Sequence, residues 1–230
     1  GTFVVATTQR IDPAGESVAF EGRPVDLALN PDETVLAVKN RNEIVLIDAA
    51  TREIAQKLRL PKGGASWTGV VWSRDGSKVW TTSTDGTLRS AARQEDDTFD
   101  WADEFAMPAP AVGGSPAPSG FAIDEDAGLA YVALSRNNSV AVVSLTSGEV
   151  ETEIAVGVAP YTALRVGGKL YVTNWGGRQP VEGDTTGPTS GSRAVVDPET
   201  GIASSGTVSV VDLATRAVST EIDVDLHPSG

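Results

Sequence analysis

The chain has 230 residues, of which 40% are hydrophobic, and it contains 24 glycines and 13 prolines. Its formal net charge of −13 argues against a nucleic-acid surface, because such a surface needs positive potential to displace counterions. The lack of cysteine excludes a disulfide framework and thiol chemistry, and no apolar run is long enough for a membrane span. We therefore expect no nucleic-acid partner, no membrane insertion, and many short strands joined by turns.

The first twenty residues contain two short apolar runs that are typical of strands. They are Thr2-Phe-Val-Val-Ala-Thr-Thr8 and Glu16-Ser-Val-Ala-Phe20, separated by an Asp-Pro-Ala-Gly turn at residues 12–15. They precede the first complete repeat. In a closed ring of sheets, leading strands of this kind complete the last sheet, so residues 1–20 are predicted to be closing strands.

A unit of four strands then repeats along the chain. Asp32 and Asp75 lie in equivalent turns and are 43 residues apart, which is the spacing of four-stranded propeller blades. The units cover residues 21–63, 64–112, 113–157 and 158–226, and residues 227–230 match the start of a further unit. The sequence therefore predicts an all-β fold, a β-propeller of four-stranded antiparallel blades with about four blades plus the closing strands.

The fourth unit is interrupted between its second and third strands. Its second strand ends in Tyr171-Val-Thr-Asn174, and its third strand begins only at Gly206. The insert at residues 175–205 is rich in Gly, Pro, Thr and Ser and has almost no apolar periodicity, so we expect no core within it. The strands on either side are predicted to be core at Leu170, Val172, Val208 and Val210.

These motifs resemble the YVTN-type β-propeller repeats of bacteria and archaea. Tyr171-Val-Thr-Asn174 carries the signature, and Asn30-Pro-Asp32, Val210-Val-Asp212 and the prolines that begin each unit match the rest. The opening Thr8-Gln-Arg-Ile-Asp-Pro-Ala-Gly15 and the insert segments Asn174-Trp-Gly-Gly-Arg178 and Thr200-Gly-Ile-Ala-Ser-Ser-Gly206 are most similar to the N-terminal propeller of bacterial proteins with an alkaline-phosphatase-superfamily phosphoesterase domain.

The resemblance implies a parent ring of about seven blades in an extracytoplasmic protein, periplasmic or secreted, whose signal peptide has been removed. The metal ligands and the nucleophile of the phosphoesterase would lie beyond residue 230, so no catalytic residue, cofactor or metal is carried over to this chain. The implied function is a non-catalytic scaffold or binding module. Its partners would be the remaining blades or a C-terminal phosphoesterase domain of the parent chain, or a second copy.

Two other classes of protein use similar blades. Lactonase-like propellers hydrolyse esters with carboxylates or histidines that hold a metal in the central channel, but this chain has a single histidine. Surface-layer and adhesion proteins contain arrays of further blades and no phosphoesterase domain. Both remain alternatives.

The insert carries the candidate site residues, Asn174, Trp175, Arg178 and Arg193. Arginines in a glycine-rich loop are suited to an anionic ligand or to docking of a neighbouring domain. Trp175 is either a flat platform on the propeller surface or a ring packed between blades, and a passive surface loop is the third interpretation.

Three other segments suggest chemistry less strongly. His227 is interpreted as a frayed terminal residue rather than a base, and the turn at residues 124–128 as a polar hairpin rather than a calcium loop. The acidic run at residues 95–104 is interpreted as a solvated edge strand rather than a cation site.

Deleting residues 177–203 tests the interpretation of the insert. Because loop-closure entropy changes slowly with loop length, we expect the shortened chain to keep its fold if the insert serves docking. Circular dichroism and a thermal melt would measure this. Loss of the cooperative melt would show instead that the insert is part of the fold's support.

Overall fold

The computed structural model describes residues 3–4, 10–11, 14–189 and 191–229. Within these residues the chain is all-β, with no helix. The strands are β1 (Phe3–Val4), β2 (Arg10–Ile11), β3 (Asp26–Leu29), β4 (Val35–Asn40), β5 (Glu43–Asp48), β6 (Ile54–Arg59), β7 (Ala65–Trp72), β8 (Lys78–Ser83), β9 (Thr87–Arg93), β10 (Phe99–Ala106), β11 (Pro118–Asp124), β12 (Leu129–Leu134), β13 (Ser139–Ser144), β14 (Val150–Ala155), β15 (Pro160–Val166), β16 (Lys169–Asn174), β17 (Thr186–Thr189), β18 (Ser192–Val195), β19 (Gly206–Asp212) and β20 (Ala217–Val224).

Sixteen of the strands form four antiparallel sheets of four. Blade 1 is β3-β4-β5-β6, blade 2 is β7-β8-β9-β10, blade 3 is β11-β12-β13-β14, and blade 4 is β15-β16-β19-β20. Within each blade, the strands lie side by side in the order in which they occur along the chain. The predicted β-propeller of four-stranded antiparallel blades is therefore confirmed.

Side chains of Asn and Asp close the turns within the blades. The Asn30 side-chain oxygen accepts hydrogen bonds from the backbone N–H groups of Thr34 and Val35 at 2.9 and 2.8 Å. Asp48 and Asp212 close equivalent turns between the third and fourth strands, where each carboxylate accepts two backbone N–H groups. These hydrogen bonds lower the pKa of both carboxyl groups. The Asp-x-x-Thr pattern of the sequence is therefore a turn signal with a local physical cause.

The core lies between the blades rather than inside any one of them. We call the face of a blade that points to the following blade its trailing face, and the opposite face its leading face. Three apolar clusters join the trailing face of one blade to the leading face of the next. Between blades 3 and 4 the cluster consists of Ala122, Tyr131, Val140, Val142, Ile154 and Val156 on blade 3 and Ala163, Leu170, Val172 and Val211 on blade 4.

The two end faces are not packed against each other. On the trailing face of blade 4, Leu164 is 61% exposed and Ile222 is 44% exposed. On the leading face of blade 1, Leu27 and Leu29 are exposed, while Val18 and Phe20 pack over Val38, Val45 and Ile47. Among the described residues the four blades therefore form an open arc.

Two details of the expected strands differ from the structure. Residues 16–20 form no strand; Val18 and Phe20 instead cover part of the apolar leading face of blade 1. In the run at residues 2–8 only Phe3–Val4 is described, and it pairs with Arg10–Ile11. The rest of that run, and the first half of the turn at residues 12–15, lie outside the described residues.

The predicted core residues of blade 4 differ in burial according to their face. Leu170 and Val172, on the leading face, are completely buried. Val210 is also buried, but Val208 on the same trailing face is only half-buried. Burial is less complete on the trailing face because no further blade covers it among the described residues.

Ile154 and Ile222 occupy equivalent positions in β14 and β20 and provide a matched pair of substitutions. Ile154 is 5% exposed because blade 4 covers it, so Ile154→Ala should lower the free energy of unfolding by about 2–5 kcal/mol. Ile222→Ala should cost less than about 1 kcal/mol. Urea unfolding would measure both, and equal losses would contradict an uncovered trailing face on blade 4.

Candidate functional site

One surface of the propeller gathers the chain segments that differ most among the blades. Each first strand begins beside the end of the second strand of its blade, as in the pairs Ala65 with Ser83 and Pro160 with Asn174. The turns between second and third strands lie on the same side, and so does the insert. We call this side the upper surface.

The insert contains a small hairpin in place of the structureless loop expected from the sequence. Strands β17 and β18 pair from Thr186–Val195 to Thr189–Ser192, and Ala194 is buried. The root of the insert is joined to the start of β15, because Gly176 N donates to Val158 O and Val158 N donates to Gly177 O. The hairpin also borders a hollow of about 310 Å³ with the 136–138 turn of blade 3.

Asn174 is a buried structural residue. Its Nδ2 donates to Thr207 Oγ1 at 3.1 Å and to Ser209 Oγ at 2.9 Å, both on β19, the neighbouring strand. The signature asparagine therefore fastens the second strand of blade 4 to the third across the insertion point. It is not exposed to a ligand.

Trp175 lies at the upper surface in an aromatic stack. Its ring lies parallel to that of Tyr161, with ring centroids 4.9 Å apart. It is nearly perpendicular to the His227 ring, with centroids 5.6 Å apart. The indole is 37% exposed and borders a hollow of about 210 Å³ between the insert hairpin and the start of β15. Trp175 is thus both packed and partly accessible, and His227 contacts it rather than extending freely.

Arg178 and Arg193 are engaged within the insert. Arg178 forms a bidentate pair with Asp184 at 2.7 and 2.9 Å, and this hydrogen-bonded pair lowers the pKa of Asp184 to about 2. Arg193 donates to the hydroxyl and the carbonyl of Thr186 on the opposite strand of the hairpin. Both guanidinium groups therefore hold the insert together, and an anionic ligand would have to compete with these contacts.

The acidic segments form ordinary local structure. Asp124 is buried and pairs with Arg165 at 2.8 Å, and its other oxygen accepts the Ala127 N–H within the turn. The run at residues 95–104 enters β10, the outermost strand of blade 2. In the described part of the chain, no three His, Asp or Glu side chains are grouped closely enough to hold a metal ion.

The upper surface also contains a second site, whose residues the sequence did not predict. A pocket of about 360 Å³ lies where blades 1, 2 and 3 meet, and we call it the Trp67 pocket. Its lining consists of Arg23, Ala65, Ser66, Trp67, Thr84, Ser115 and Ala117. Trp67 is 55% exposed there, and the Arg23 guanidinium lies 5.9 Å from the centre of its ring.

Trp67 projects because β7 carries a large bulge. Four residues, 66–69, lie between the paired positions Ala65 and Val70, whereas β8 has only Thr82 between Ser83 and Thr81. Gly69 is needed in this bulge, since its φ is +99° and a Cβ would approach the Ser119 carbonyl oxygen to 2.6 Å. The sequence feature that could have indicated this bulge is the presence of glycines on both sides of Trp67, at Gly63-Gly64 and Gly69.

Two charged side chains of blade 1 hold the bulge from within. The Lys39 ammonium is completely buried and lies 2.6–3.1 Å from Ser66 Oγ, Thr68 O, Gly69 O and Thr82 Oγ1. The Asp26 carboxylate accepts the Thr68 hydroxyl and the N–H groups of Gly69 and Val70. Lys39 thereby satisfies the Thr68 and Gly69 carbonyl groups that leave the β ladder, and Asp26 satisfies N–H groups beside them.

Burial lowers the pKa of Lys39 to about 7, although the negative charge of Asp26 acts in the opposite direction. The two hydroxyl groups beside the amine can accept from an ammonium or donate to a neutral amine, so the contacts accommodate both protonation states.

The described segments contain no helix that is long and apolar enough to cross a membrane.

The titration of Lys39 should be visible in the pH dependence of stability. An unfolded lysine has a pKa of about 10.4, so above pH 7 the unfolded chain binds more protons than the folded chain, and the free energy of unfolding rises with pH. We expect the stability difference, wild type minus Lys39→Met, to increase from pH 7 to about 10 and to be constant below about pH 6. Urea unfolding at several pH values measures it.

Lys57→Met is the matched control, because Lys57 is exposed on β6. It should show no such trend. A stability difference for Lys39→Met that does not change with pH would mean that Lys39 keeps an ordinary pKa.

Comparisons of the sequence with protein-family models and with curated proteins find no match. Solved structures do match. A chain of Kuenenia stuttgartiensis hydrazine synthase has a TM-score of 0.63 and 18% identity, over 93% of this chain and 53% of that chain. Chaetomium thermophilum Raptor has a TM-score of 0.65 and 13% identity, over 90% of this chain and 17% of its own.

A functionally unknown protein from Desulfotomaculum acetoxidans DSM 771 has a TM-score of 0.54 and 14% identity, over 97% of this chain and 80% of that one. The present chain therefore spans about half of the hydrazine synthase chain and less than a fifth of Raptor. At these identities, the similarity concerns the fold of the four blades and not their function.

Proposed function

We propose that this chain is a non-catalytic β-propeller scaffold and binding module of a larger extracytoplasmic phosphoesterase-type protein, in which further blades complete the ring. The phosphoesterase connection and the location rest on the resemblance of residues 8–15, 174–178 and 200–206 to such proteins. The need for further blades rests on the structure of blade 4, which is the observation that carries the proposal.

The trailing face of blade 4 reproduces the trailing face of blade 3, which is covered. Equivalent positions follow from the strand pairing in the two blades. On blade 3 they are Ala122, Tyr131, Val140, Val142, Ile154 and Val156; on blade 4 they are Leu164, Tyr171, Val208, Val210, Ile222 and Val224. Five of the six residues are identical, and the sixth is larger and more apolar on blade 4.

A face of this composition is unfavourable in water. Covering the exposed parts of Leu164 and Ile222, which are 61% and 44% exposed, would each contribute on the order of 1 kcal/mol, because complete burial of such a side chain contributes about 1.5–3 kcal/mol. A contiguous apolar patch on a sheet face is typical of an interaction surface. Because blade 3 uses the same residues to receive a blade, the occupant we propose for blade 4 is a further blade of the same repeat, carried by the same protein.

The leading faces of blades 3 and 4 indicate which residues a further blade would place against the trailing face of blade 4. Blade 4 meets blade 3 with Ala163, Leu170, Val172 and Val211. Blade 3 meets blade 2 with residues of the same kind at the corresponding positions, including Ala130, Val132 and Val143. A blade with small and β-branched residues at these positions would extend the existing stacking without a new type of contact.

Size-exclusion chromatography with light scattering tests the proposal. With the face uncovered, residues 1–230 should associate weakly and without a fixed stoichiometry, and should bind a hydrophobic dye. Leu164→Glu should abolish both effects without lowering the melting temperature, because the charge stays in solvent. Ser147→Glu, in an exposed turn of blade 3, should change neither.

Two results would contradict the proposal. A monomer at all concentrations that binds no dye would mean that the face needs no partner. A discrete, saturable dimer would identify a second copy as the occupant instead. Hydrolysis of esters or lactones by the purified chain would favour the lactonase-like alternative.

A further inference from the structure

We infer that the Trp67 pocket binds a small organic anion that carries a planar ring, with Arg23 contacting the anionic group and Trp67 the ring. This inference concerns the upper surface between blades 1, 2 and 3. It does not depend on what covers blade 4 or on the proposed phosphoesterase connection.

Arg23 is the charged group that the pocket offers. Its backbone is fixed because Arg23 N donates to Asn40 Oδ1 at 2.7 Å, while its exposed guanidinium lies beside Trp67. Within the described ranges no carboxylate lies within 4.0 Å of it. In a chain with 31 acidic residues and 18 Lys and Arg, most cations could find an acidic partner, so this one is directed towards a different anion.

The remaining polar groups of the pocket have partners within the protein. Ser66 Oγ contacts Lys39, Ser115 Oγ donates to Thr84 O, and Thr84 Oγ1 accepts the Gly64 N–H. Ala65, Ala117 and Trp67 supply the rest of the lining. The pocket therefore combines a cation that has no ion pair among the described residues with apolar walls, which suits a ligand that has one anionic end and an apolar ring.

A second arginine extends the positive region. An adjoining hollow of about 560 Å³ shares Arg23 and Ala65 with the Trp67 pocket and is also bordered by Arg41. Like Arg23, Arg41 is exposed and has no ion pair among the residues that the structure describes. Arg23 and Arg41, which border one hollow, are suited to holding the two oxygens of a carboxylate or the three of a phosphate.

The bulge that presents Trp67 is peculiar to blade 2. At the same place, β11 has two residues against one on its partner strand, and β15 has one against none. Each of those blades has one extra residue, whereas β7 has three. The two additional residues of blade 2 are accommodated by the buried Lys39 and by Asp26, neither of which has an equivalent charged side chain in blade 3, where Ala133 and Gly120 occupy these positions.

This arrangement orients the pocket before a ligand arrives. Burying an ammonium is costly unless it is well hydrogen-bonded, and a half-exposed tryptophan gains little from folding. The interior contacts of Lys39 and Asp26 fix the backbone on both sides of Trp67, and the hydrogen bond to Asn40 fixes the backbone of Arg23, so both side chains start from fixed positions. A pre-organised aromatic and arginine pair lowers the entropy cost of binding.

Isothermal titration calorimetry on residues 1–230 tests the inference with four probes. Phenyl phosphate and benzoate carry both the ring and the anion, benzyl alcohol has only the ring, and inorganic phosphate has only the anion. We expect one or both of the first two to bind with a Kd below about 1 mM, and the other two at least about tenfold more weakly. The stronger of phenyl phosphate and benzoate identifies the anionic group.

The variants separate the two halves of the pocket. Arg23→Gln and Trp67→Leu should each weaken binding of the aromatic anion by about tenfold or more. Arg93→Gln removes one positive charge at the opposite end of blade 2 and should leave the affinity unchanged. Thermal melts establish that each variant is folded, and the indole N–H signal of Trp67 in NMR spectra reports binding independently.

Any of three binding results would overturn the inference. These are no binding of either aromatic anion at about 10 mM, equal binding of inorganic phosphate, or equal loss of affinity in Arg93→Gln and Arg23→Gln. A shift of the Trp175 signal without one at Trp67 would also overturn it, because it would locate the ligand at the aromatic stack of the insert.

Discussion

Every blade of this protein is apolar on both faces, and this constraint governs the rest of the structure. A sheet that is buried on both sides cannot be stable alone, so each blade depends on a blade before it and a blade after it. Within the arc, three interfaces satisfy this condition with interdigitating Val, Leu, Ile, Ala and aromatic side chains. At the ends, residues 18–20 cover part of blade 1, and no segment that the structure describes covers the trailing face of blade 4.

The interface between blades 1 and 2 adds polar contacts to this apolar packing. Near the upper surface, Lys39 and Asp26 replace apolar contact with seven hydrogen-bonding contacts, six to β7 and one to β8. Away from the upper surface, Gln56 exchanges two hydrogen bonds with the backbone of Phe99, and the Trp72 indole donates to Ala28 O. This part of the interface maintains the stacking, while the part near the upper surface gives the Trp67 pocket its shape.

The sequence was sufficient to predict strands, turns and repeat spacing, because these depend on local patterns. Alternation and turn residues located the strands, and the acidic segment that ends in Phe105 was correctly interpreted as an edge strand. Residues 16–20 were wrongly assigned to a strand, since Val18 and Phe20 alternate as in a strand but serve to cover a neighbouring face. The insert hairpin was missed because Thr, Ser, Gly and Pro give no apolar alternation.

For the candidate site, residue type alone was a poor guide. Trp175, Arg178 and Arg193 were chosen because they lie in a long loop, yet both arginines are paired inside that loop. Arg23, Lys39 and Trp67 lie in three different segments, and nothing local relates them. The sequence by itself determined the blades, since hydrophobic periodicity and turn chemistry act over a few residues. Only the tertiary structure decided which cations are free and which face is uncovered, because burial and ion pairing depend on residues that are distant in the chain.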